Sequence, residues 1–261
     1  MRALDIAASG MMAQQLNVEV IANNLANSNT TGFKGSRAEF QDLLYQDERR
    51  VGESSSDAGT TVPTGVQIGL GVRSSAVYRV GGQGTIQSTG NPFDLAINGI
   101  GFFTIEMPDG TTSYTRDGSF QVNQNGNIVT ADGYKVTPAI TVPANAKSVT
   151  IDAGGNVSVL VSGQATPSQV GQVQLATFIN EAGLQALGKN LFAETVASGT
   201  PQIGAAASGD RGTLTQGYLE ASNVNTVNEI TSLITAQRAY EMNSRVIESA
   251  NQMLGTLTSM R

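Results

Sequence analysis

The sequence contains neither cysteine nor histidine in its 261 residues. Without cysteine there can be no disulfide bonds, and without histidine a serine or cysteine nucleophile has no imidazole base to activate it. Ordinary zinc sites, which use sulfur and imidazole ligands, are excluded for the same reason. Nucleophilic hydrolases of the Ser-His and Cys-His kinds and common zinc proteins are therefore ruled out.

Charged residues are scarce as well. They make up 14% of the chain, against about 25% in an average soluble protein. The 21 acidic residues outnumber the 15 basic ones and give a net charge of −6. Because an acidic protein repels the phosphate backbone, we expect no nucleic-acid partner. The uncharged polar composition fits an extracytoplasmic β-rich protein or a subunit whose surface is largely covered by neighbours.

The chain also lacks an apolar run of the roughly 18–20 residues that a membrane-spanning helix needs. Residues 1–15 do not have the pattern of a secretory signal peptide, since Arg2 is followed by Asp5 and the apolar residues are spaced rather than continuous. We therefore expect the protein to stay in the cytoplasm or to leave it by a route that needs no cleaved signal.

The N-terminal part has helical periodicity over residues 3 to about 27. One apolar stripe has heptad-like spacing, and a second stripe runs beside it, so more than half of the helix surface favours burial. The polar turn residues of 27–32 end the helix. The first stripe consists of Leu4, Ala7, Met11, Val18, Ile21 and Leu25, and the second of Ile6, Ala13, Leu16 and Val20.

The C-terminal part predicts a helix over 226–259, with Thr226 and Glu229 as a capping box. It also carries two apolar stripes. Pairing of the two helices would bury only one stripe of each, and identical subunits are an economical source of cover for the other. A single intramolecular hairpin of helices is the alternative. The first stripe includes Ile230, Leu233, Tyr240, Ile247 and Leu254, and the second Ala239, Met242, Val246, Met253 and Met260.

The middle of the chain, 66–215, has the pattern of antiparallel β-structure. Short apolar runs alternate with turn signals, among them Asp117-Gly118, Asn125-Gly126 and Asp132-Gly133, which supply the positive φ of tight hairpins. This spacing is typical of a sandwich or a small barrel. We predict an α+β fold, in which the N- and C-terminal helices pair as a coiled-coil-like inner domain and the middle of the chain forms a central, mostly-β antiparallel domain.

The domain boundaries follow from these patterns. We expect an N-terminal helix in 1–30, a connecting region in 31–65, a β-rich outer domain in 66–215, and a return segment with the C-terminal helix in 216–261. The connecting region contains a polar insertion, 46–62, with few apolar residues and no periodicity. Such a segment is expected to be disordered in an isolated monomer.

No catalytic or cofactor-binding constellation is present. Asp94, Glu106, Asp117, Asp132 and Asp152 each lie beside a turn or at a strand end, where acidic residues are ordinary. None of the turns has the alternating ligands and terminal Glu of a calcium loop. The Gly-x-Gly pairs at 69–71 and 99–101 lack the third glycine and the helix of a dinucleotide site. We expect neither enzymatic activity nor a cofactor or metal.

Four motifs follow one another along the chain: 23–34 (NNLANSNTTGFK), 94–103 (DLAINGIGFF), 114–120 (YTRDGSF), and 217–225 (GYLEASNVN) with 236–241 (AQRAYE). Together and in this order they resemble the motifs of flagellar axial proteins, the rod and hook family. The likeness extends over almost the whole chain. Within that family, the length, the segment 63–72 and the insertion before it are most similar to the distal-rod branch.

The resemblance implies a structural subunit of the flagellar drive shaft, polymerised from copies of this chain. Further implied partners are proximal rod proteins, the hook protein, and the peptidoglycan-ring and outer-membrane-ring proteins that form the bushing. It also implies export without a cleaved signal through the flagellar type III apparatus to a rod that crosses the periplasm. The alternatives are a proximal rod or hook protein of the same family or, in a different class, a secreted β-rich adhesin or binding module.

Three groups of residues are expected to carry this function. The apolar helix residues Leu4, Met11, Val18, Leu25, Ile230, Leu233, Tyr240, Ile247 and Leu254 would pack subunits together. The amides Gln15, Asn23, Asn24 and Asn27 would face the export channel, or would instead cap the helix and contact neighbours. The insertion 46–62, with Glu48, Arg49 and Arg50, would stiffen the rod, or would be a flexible surface loop without a mechanical part.

Overall fold

The computed structural model describes residues 2–49, 64–164 and 166–259 and has the predicted α+β architecture. Helix α1 (Arg2–Ala26) and helix α2 (Thr226–Ser259) lie at the two ends of the chain, within one residue of the predicted bounds. The strands between them are antiparallel wherever a register is defined, which confirms the predicted β-rich middle. Among the described residues, no helix is both long and apolar enough to cross a membrane.

The strands between the two helices are numbered in chain order. In the first part of the chain they are β1 (Ser36–Asp42), β2 (Tyr45–Arg49), β3 (Val66–Gly69), β4 (Val72–Arg79), β5 (Ile86–Ser88), β6 (Leu95–Asn98), β7 (Phe102–Glu106), β8 (Thr112–Thr115), β9 (Gln121–Val122) and β10 (Ile128–Val129). They continue as β11 (Lys135–Val136), β12 (Ala146–Ile151), β13 (Asn156–Val161), β14 (Ser168–Gln172), β15 (Gln174–Thr177), β16 (Gln185–Gly188), β17 (Leu191–Ala193), β18 (Gln202–Ala205), β19 (Thr213–Gln216) and β20 (Tyr218–Glu220). A short 3-10 helix, Glu181–Gly183, precedes β16.

The chain divides into two compact units. The helical unit comprises the described residues of 1–25, 36–78 and 225–261, and the β unit comprises those of 26–35 and 79–224. The chain therefore passes from one unit to the other four times.

The helical unit contains α1, α2 and two antiparallel ribbons, β1 with β4 and β2 with β3. In the second ribbon Tyr45 pairs with Gly69 and Arg49 with Val66. Residues 46–49 are thus a strand, which corrects the expectation of disorder for this part of the insertion. Their side chains are all exposed, so the strand is held by backbone pairing and not by an apolar face. Residues 50–63 lie outside the described residues.

The β unit is built on a nine-stranded sheet with the main order β16-β17-β8-β7-β11-β10-β9. Strand β15 pairs with both β7 and β18 and forms a branch from this order. The remaining strands form a three-stranded sheet, β12-β13-β14, and the pairs β19-β6 and β20-β5.

Both faces of strand β7 are buried, which explains why the adjacent residues Phe102 and Phe103 are both apolar. Phe103 packs edge to face on Phe120, with ring centroids 5.0 Å apart, in the larger core. Phe102 points to the opposite face and packs on Phe178 at 6.0 Å in a smaller core with Tyr114. Successive side chains of a strand alternate between faces, so a strand covered on both sides can be apolar at consecutive positions.

Two of the three predicted hairpin turns have the expected geometry. Gly126 and Gly133 have positive φ values, 80° and 85°, and connect β9 to β10 and β10 to β11. Gly118 does not, so the prediction of positive φ is wrong for that turn. A Cβ on Gly118 would lie 1.7 Å from the Leu95 carbonyl oxygen, and this close backbone approach is what requires glycine there.

Candidate functional site

The two terminal helices pair in antiparallel orientation within the helical unit. A Cβ built on Gly10 would lie 2.8 Å from Nδ2 of Asn243, so α1 and α2 approach closely at that level. Fourteen residues further along α1, Asn24 donates a hydrogen bond of 3.4 Å to Glu229, which lies fourteen residues earlier on α2. The contacts thus advance along α1 while they go back along α2 by the same number of residues, which means that the two helices are antiparallel.

Helix α2 keeps a broad apolar surface that α1 does not cover. The buried Ala236 and Ala250 lie seven residues on either side of Asn243 and mark its inner side. Other apolar side chains are largely exposed, with Val227 at 70%, Met242 at 62% and Met253 at 61%. The exposed apolar face of α2 consists of Val227, Ile230, Ile234, Met242, Val246 and Met253.

The nine apolar residues predicted to pack subunits all keep some accessible surface in the single chain. On α1, Leu4, Met11, Val18 and Leu25 are half-buried. On α2, Leu233, Ile247 and Leu254 are half-buried, whereas Ile230 and Tyr240 are 46% and 43% exposed. The single chain therefore covers these positions only in part.

Two of the four amides predicted to line a channel are exposed on α1. Gln15 donates a hydrogen bond of 3.1 Å to Glu19, which lies one turn further along the helix. Asn23, about two turns beyond Gln15, is the second exposed amide. Asn27, just past the end of the helix, is half-buried and accepts a hydrogen bond of 3.1 Å from Thr30.

Asn24 contradicts the channel-facing prediction because it is buried. Its side-chain amide donates to the Ser36 carbonyl and accepts from the Ser36 N–H, each at 2.8 Å. The amide thus pairs with the backbone at the start of β1 as a neighbouring strand would. Periodicity could not reveal this, since Ser36 lies outside the helix.

The charged residues of the predicted rigidity segment divide as follows. Glu48 lies on β2 and forms an exposed ion pair with Arg2 of α1. Arg49 ends β2 opposite Val66. Arg50 lies outside the described residues.

Within the β unit, a buried ion cluster was not anticipated from the sequence. The Glu220 carboxylate, 1% exposed, binds a separate cation with each oxygen. Oε1 accepts from Lys34 Nζ at 2.6 Å and from the Gly84 N–H at 2.8 Å. Oε2 accepts from Arg116 Nε at 2.6 Å. We call Lys34, Arg116 and Glu220 the ion cluster.

Backbone carbonyl groups complete the coordination of both cations. Arg116 donates its two terminal nitrogens to Gly99 and Gly101, each at 2.6 Å, and to Ile97 at 3.2 Å. Lys34 Nζ also donates to the Gly82 carbonyl at 2.9 Å. The glycines of the 94–103 motif therefore bring their carbonyl groups to a guanidinium, which is a structural role.

Asn223 lies beside the cluster and connects its own segment of the chain to two others by hydrogen bonds. Its Oδ1 accepts from the Gly35 N–H at 2.7 Å, and its Nδ2 donates to the carbonyls of Val80 and Gly82, each at 2.9 Å. The four motifs singled out in the sequence thus meet here. Each contributes a charged residue, a carbonyl group or this amide.

Burial and neighbouring charge act in opposite directions on the acids of this site. Burial alone would raise the pKa of Glu220, but the charge of Arg116 and the hydrogen bonds from Lys34, Arg116 and Gly84 hold that pKa below its ordinary value. Burial raises the pKa of nearby Glu181, against the attraction of Arg116 and Lys34. Burial also lowers the pKa of Lys34, although Glu220 opposes this. Glu220 is therefore the acid that stays ionised between the two cations.

The ion cluster has a structural rather than a catalytic geometry. All three side chains are nearly inaccessible, and their donors and acceptors are directed at one another and at backbone groups. Across the part of the chain that the structure describes, no group of three or more acidic side chains could hold a metal ion.

Three family models match the chain. The model described as flagella basal body rod protein matches residues 4–34, the flagellar hook protein FlgE/F/G D1 domain matches 96–159, and the flagellar basal body rod FlgEFG protein C-terminal region matches 215–260. Each matched region supplies one ion of the cluster: Lys34, Arg116 and Glu220 in turn.

Relatives are similar over the whole length of the chain. The flagellar basal-body rod protein FlgG of Caulobacter vibrioides is 58% identical over 261 residues, which is 100% of both chains. The protein of the same name from Agrobacterium fabrum is 54% identical and covers 97% of each chain. That of Bacillus subtilis is 39% identical and covers 100% of this chain and 99% of its own.

Proposed function

Because this chain belongs to the flagellar basal-body rod protein family, we infer that it is a structural subunit of the flagellar distal rod. The observation that carries this function is the 58% identity to a rod protein from the first residue to the last. Full-length relatives that bear the rod name favour the rod over the hook and over a secreted adhesin. The subunit assembles with other rod and hook components of the flagellum.

We propose that copies of the chain polymerise through their terminal helices. The exposed apolar face of α2 supports this, since six large side chains on one helix stay in water in the single chain. Burial of such a side chain stabilises a contact by about 1.5–3 kcal/mol. The half-buried Leu4, Met11, Val18 and Leu25 of α1, together with Leu233, Tyr240, Ile247 and Leu254 of α2, would complete the interface.

The finer partners follow from the same proposal. A distal rod would join proximal rod proteins at one end and the hook protein at the other. It would turn inside the peptidoglycan-ring and outer-membrane-ring proteins and cross the periplasm. Its subunits would pass through the flagellar type III export apparatus without a cleaved signal. A structural polymer of this kind needs no catalytic activity and no cofactor.

For the wall of an export channel we propose Gln15 and Asn23, with Asn27 at its margin. The exposure of Gln15 and Asn23 on α1 supports this. Uncharged amides would make the channel wall hydrophilic without fixed charges that would bind oppositely charged segments of a passing chain. Asn24 is left out because it is buried.

For rigidity we propose the insertion 46–62, which would lie across a neighbouring subunit and restrict its sliding. Its described part, up to Arg49, is a strand whose side chains are exposed. A two-stranded ribbon is only marginally stable alone, and its free edge could pair with a neighbour's backbone. Glu48, Arg49 and Arg50 would contribute ionic contacts. Rods assembled from a variant lacking 46–62 should be curved or compressible, and straight rods would favour a passive loop.

The proposed polymerisation is tested with a double variant, Met242→Glu with Val246→Glu, expressed as the only copy of this chain in a motile cell. Charges on the exposed apolar face of α2 should prevent rod completion and abolish swimming. The purified variant should keep amide protection in β7 and β8, because the β unit is untouched. The control is Val196→Glu, which places one such charge on a fully exposed aliphatic position of the β unit.

The control should swim normally, because the substitution lies outside both helices. Normal swimming of the helix variant, at normal protein levels, would overturn the proposed interface. Loss of swimming in the control alone would assign the contact to the β unit.

A further inference from the structure

The acid of the ion cluster comes late in the chain. Lys34 precedes Glu220 by 186 residues, and Arg116 precedes it by 104. Both cations are therefore present in the chain well before the carboxylate that binds them.

The two cations are buried in the closed β unit, at 8% and 5% exposure. A buried charge that loses its partner is strongly destabilising, because the desolvation cost remains and the attraction is lost. Glu181 is a further acid that attracts both cations, but burial raises its pKa and it forms no ion pair among the described residues. Closure without Glu220 would leave two cations with little compensation.

Glu220 is delivered by a segment that closes the β unit along its backbone. The Gly32 N–H donates to the Glu220 carbonyl at 2.8 Å, and the Asn223 N–H donates to the Phe33 carbonyl at 3.3 Å. Residues 218–220 pair at the same time with β5. Docking of 218–223 therefore joins both ends of the β unit's chain and inserts the acid in one step.

We propose that Glu220 is a closing lock: the β unit becomes stable only when 218–223 has docked on 32–35 and its carboxylate has entered between Lys34 and Arg116. A chain that emerges from its N-terminus keeps this unit open until residue 220 has arrived. In an exported rod subunit the lock would delay closure until most of the chain has left the channel. That use rests on the proposed function, whereas the lock itself does not.

Hydrogen exchange on the purified full-length chain tests the lock independently of rod assembly. Glu220→Gln removes the negative charge and replaces one carboxylate oxygen, a hydrogen-bond acceptor, with an amide nitrogen, which is a donor. Lys34 and Arg116 both donate to the carboxylate in the wild type. We expect this variant to lose amide protection throughout the β unit, including β7 and β8. Loss confined to 32–35 and 218–223 would show a local clasp and would overturn the lock. Glu181→Gln is the matched control, and it should keep the protection of β7 and β8.

The coupling between the charges provides the second readout. Glu220→Gln should raise the unfolding equilibrium constant by roughly 10²–10³-fold. Adding Lys34→Met removes one uncompensated cation and should recover about tenfold of that loss. If the side chains only filled space, the second substitution would instead add to the damage, and that result would overturn the proposal.

The pair of variants decides the question even if Glu220→Gln does not fold. A folded double variant would support the lock, because removing a cation would have restored closure. A double variant that is also unfolded would overturn it.

Discussion

At the scale of single residues, side-chain amides hold the chain where its elements begin and end. Asn24 bonds both backbone groups of Ser36 and also reaches Glu229, so one side chain connects α1, β1 and α2. Asn223 has the corresponding role in the β unit. These amides replace backbone pairing where the chain changes direction.

The role of Asn24 predicts a clear difference from an exposed amide of the same helix. Asn24→Ala would leave the N–H and C=O of Ser36 without their partner and should lower the free energy of unfolding by about 1–3 kcal/mol. Gln15→Ala removes only an exposed hydrogen bond to Glu19 and should change it by less than about 0.5 kcal/mol. Urea unfolding followed by circular dichroism measures both. Equal effects would contradict the assignment of Asn24.

Gly118 gives a second prediction at this scale. The Leu95 carbonyl lies where its Cβ would be, so Gly118→Ala should destabilise the protein by about 1–3 kcal/mol through displacement of backbone. Gly255 on α2 has open space around its Cβ position. Gly255→Ala should therefore stabilise the helix by up to about 1 kcal/mol. Thermal unfolding of the two variants compares them, and a harmless Gly118→Ala would refute the close approach.

At the scale of elements, α2 begins with a different cap from the predicted one. Asn225, and not Thr226, accepts hydrogen bonds from the N–H groups of Val227 and Asn228, at 3.1 and 3.2 Å. The sequence contains two adjacent cap formers, and local pattern alone does not choose between them.

This cap predicts that Asn225→Ala costs about 1 kcal/mol and Thr226→Ala only a few tenths. Amide exchange at residues 227 and 228 reports the difference directly, because those two N–H groups lose the side-chain acceptor. The prediction fails if Thr226→Ala gives the larger loss of protection there.

The helices and the buried strands could be predicted from the sequence because their apolar periodicity is strong. Strands β1 and β2 could not. In β2 the run Tyr45–Arg49 has no inward face, and pairing with β3 across the chain decides its conformation. Pairing between distant segments is invisible to a local pattern.

The ion cluster could not be predicted for a similar reason, since its members are more than eighty residues apart. The available signal was indirect. Lys34, Arg116 and Glu220 are charges inside glycine-rich and apolar motifs of a chain with few charges. A charge in such a setting is often paired, but only the fold identifies the partner.

At the scale of the whole molecule, the ion cluster makes stability depend on pH. The folded pKa of Glu220 lies below its ordinary value of 4.5. The stabilisation that the Glu220 carboxylate gives to the folded state is therefore present above about pH 4.5 and is lost as the pH falls through the folded pKa. The folded pKa of Glu181 is raised, so the pH dependence of this residue has the opposite sign. Ionisation of Glu181 lowers the free energy of unfolding as the pH rises above 4.5.

The difference in free energy of unfolding between the wild type and Glu220→Gln reports the contribution of the Glu220 carboxylate. This difference should be constant between about pH 6 and 8 and should become smaller as the pH falls below about 4.5. Urea unfolding at a series of pH values measures it. A difference that stays constant to pH 3 would contradict the role of the Glu220 carboxylate.

The central claim, that this chain builds the rod through the exposed apolar face of α2, is tested most directly by electron cryomicroscopy of purified basal bodies. At side-chain resolution, Val227, Ile234, Met242, Val246 and Met253 should each lie against another copy of the chain in the distal rod. A map in which these side chains face solvent or the channel, or in which the chain lies outside the rod, would contradict it.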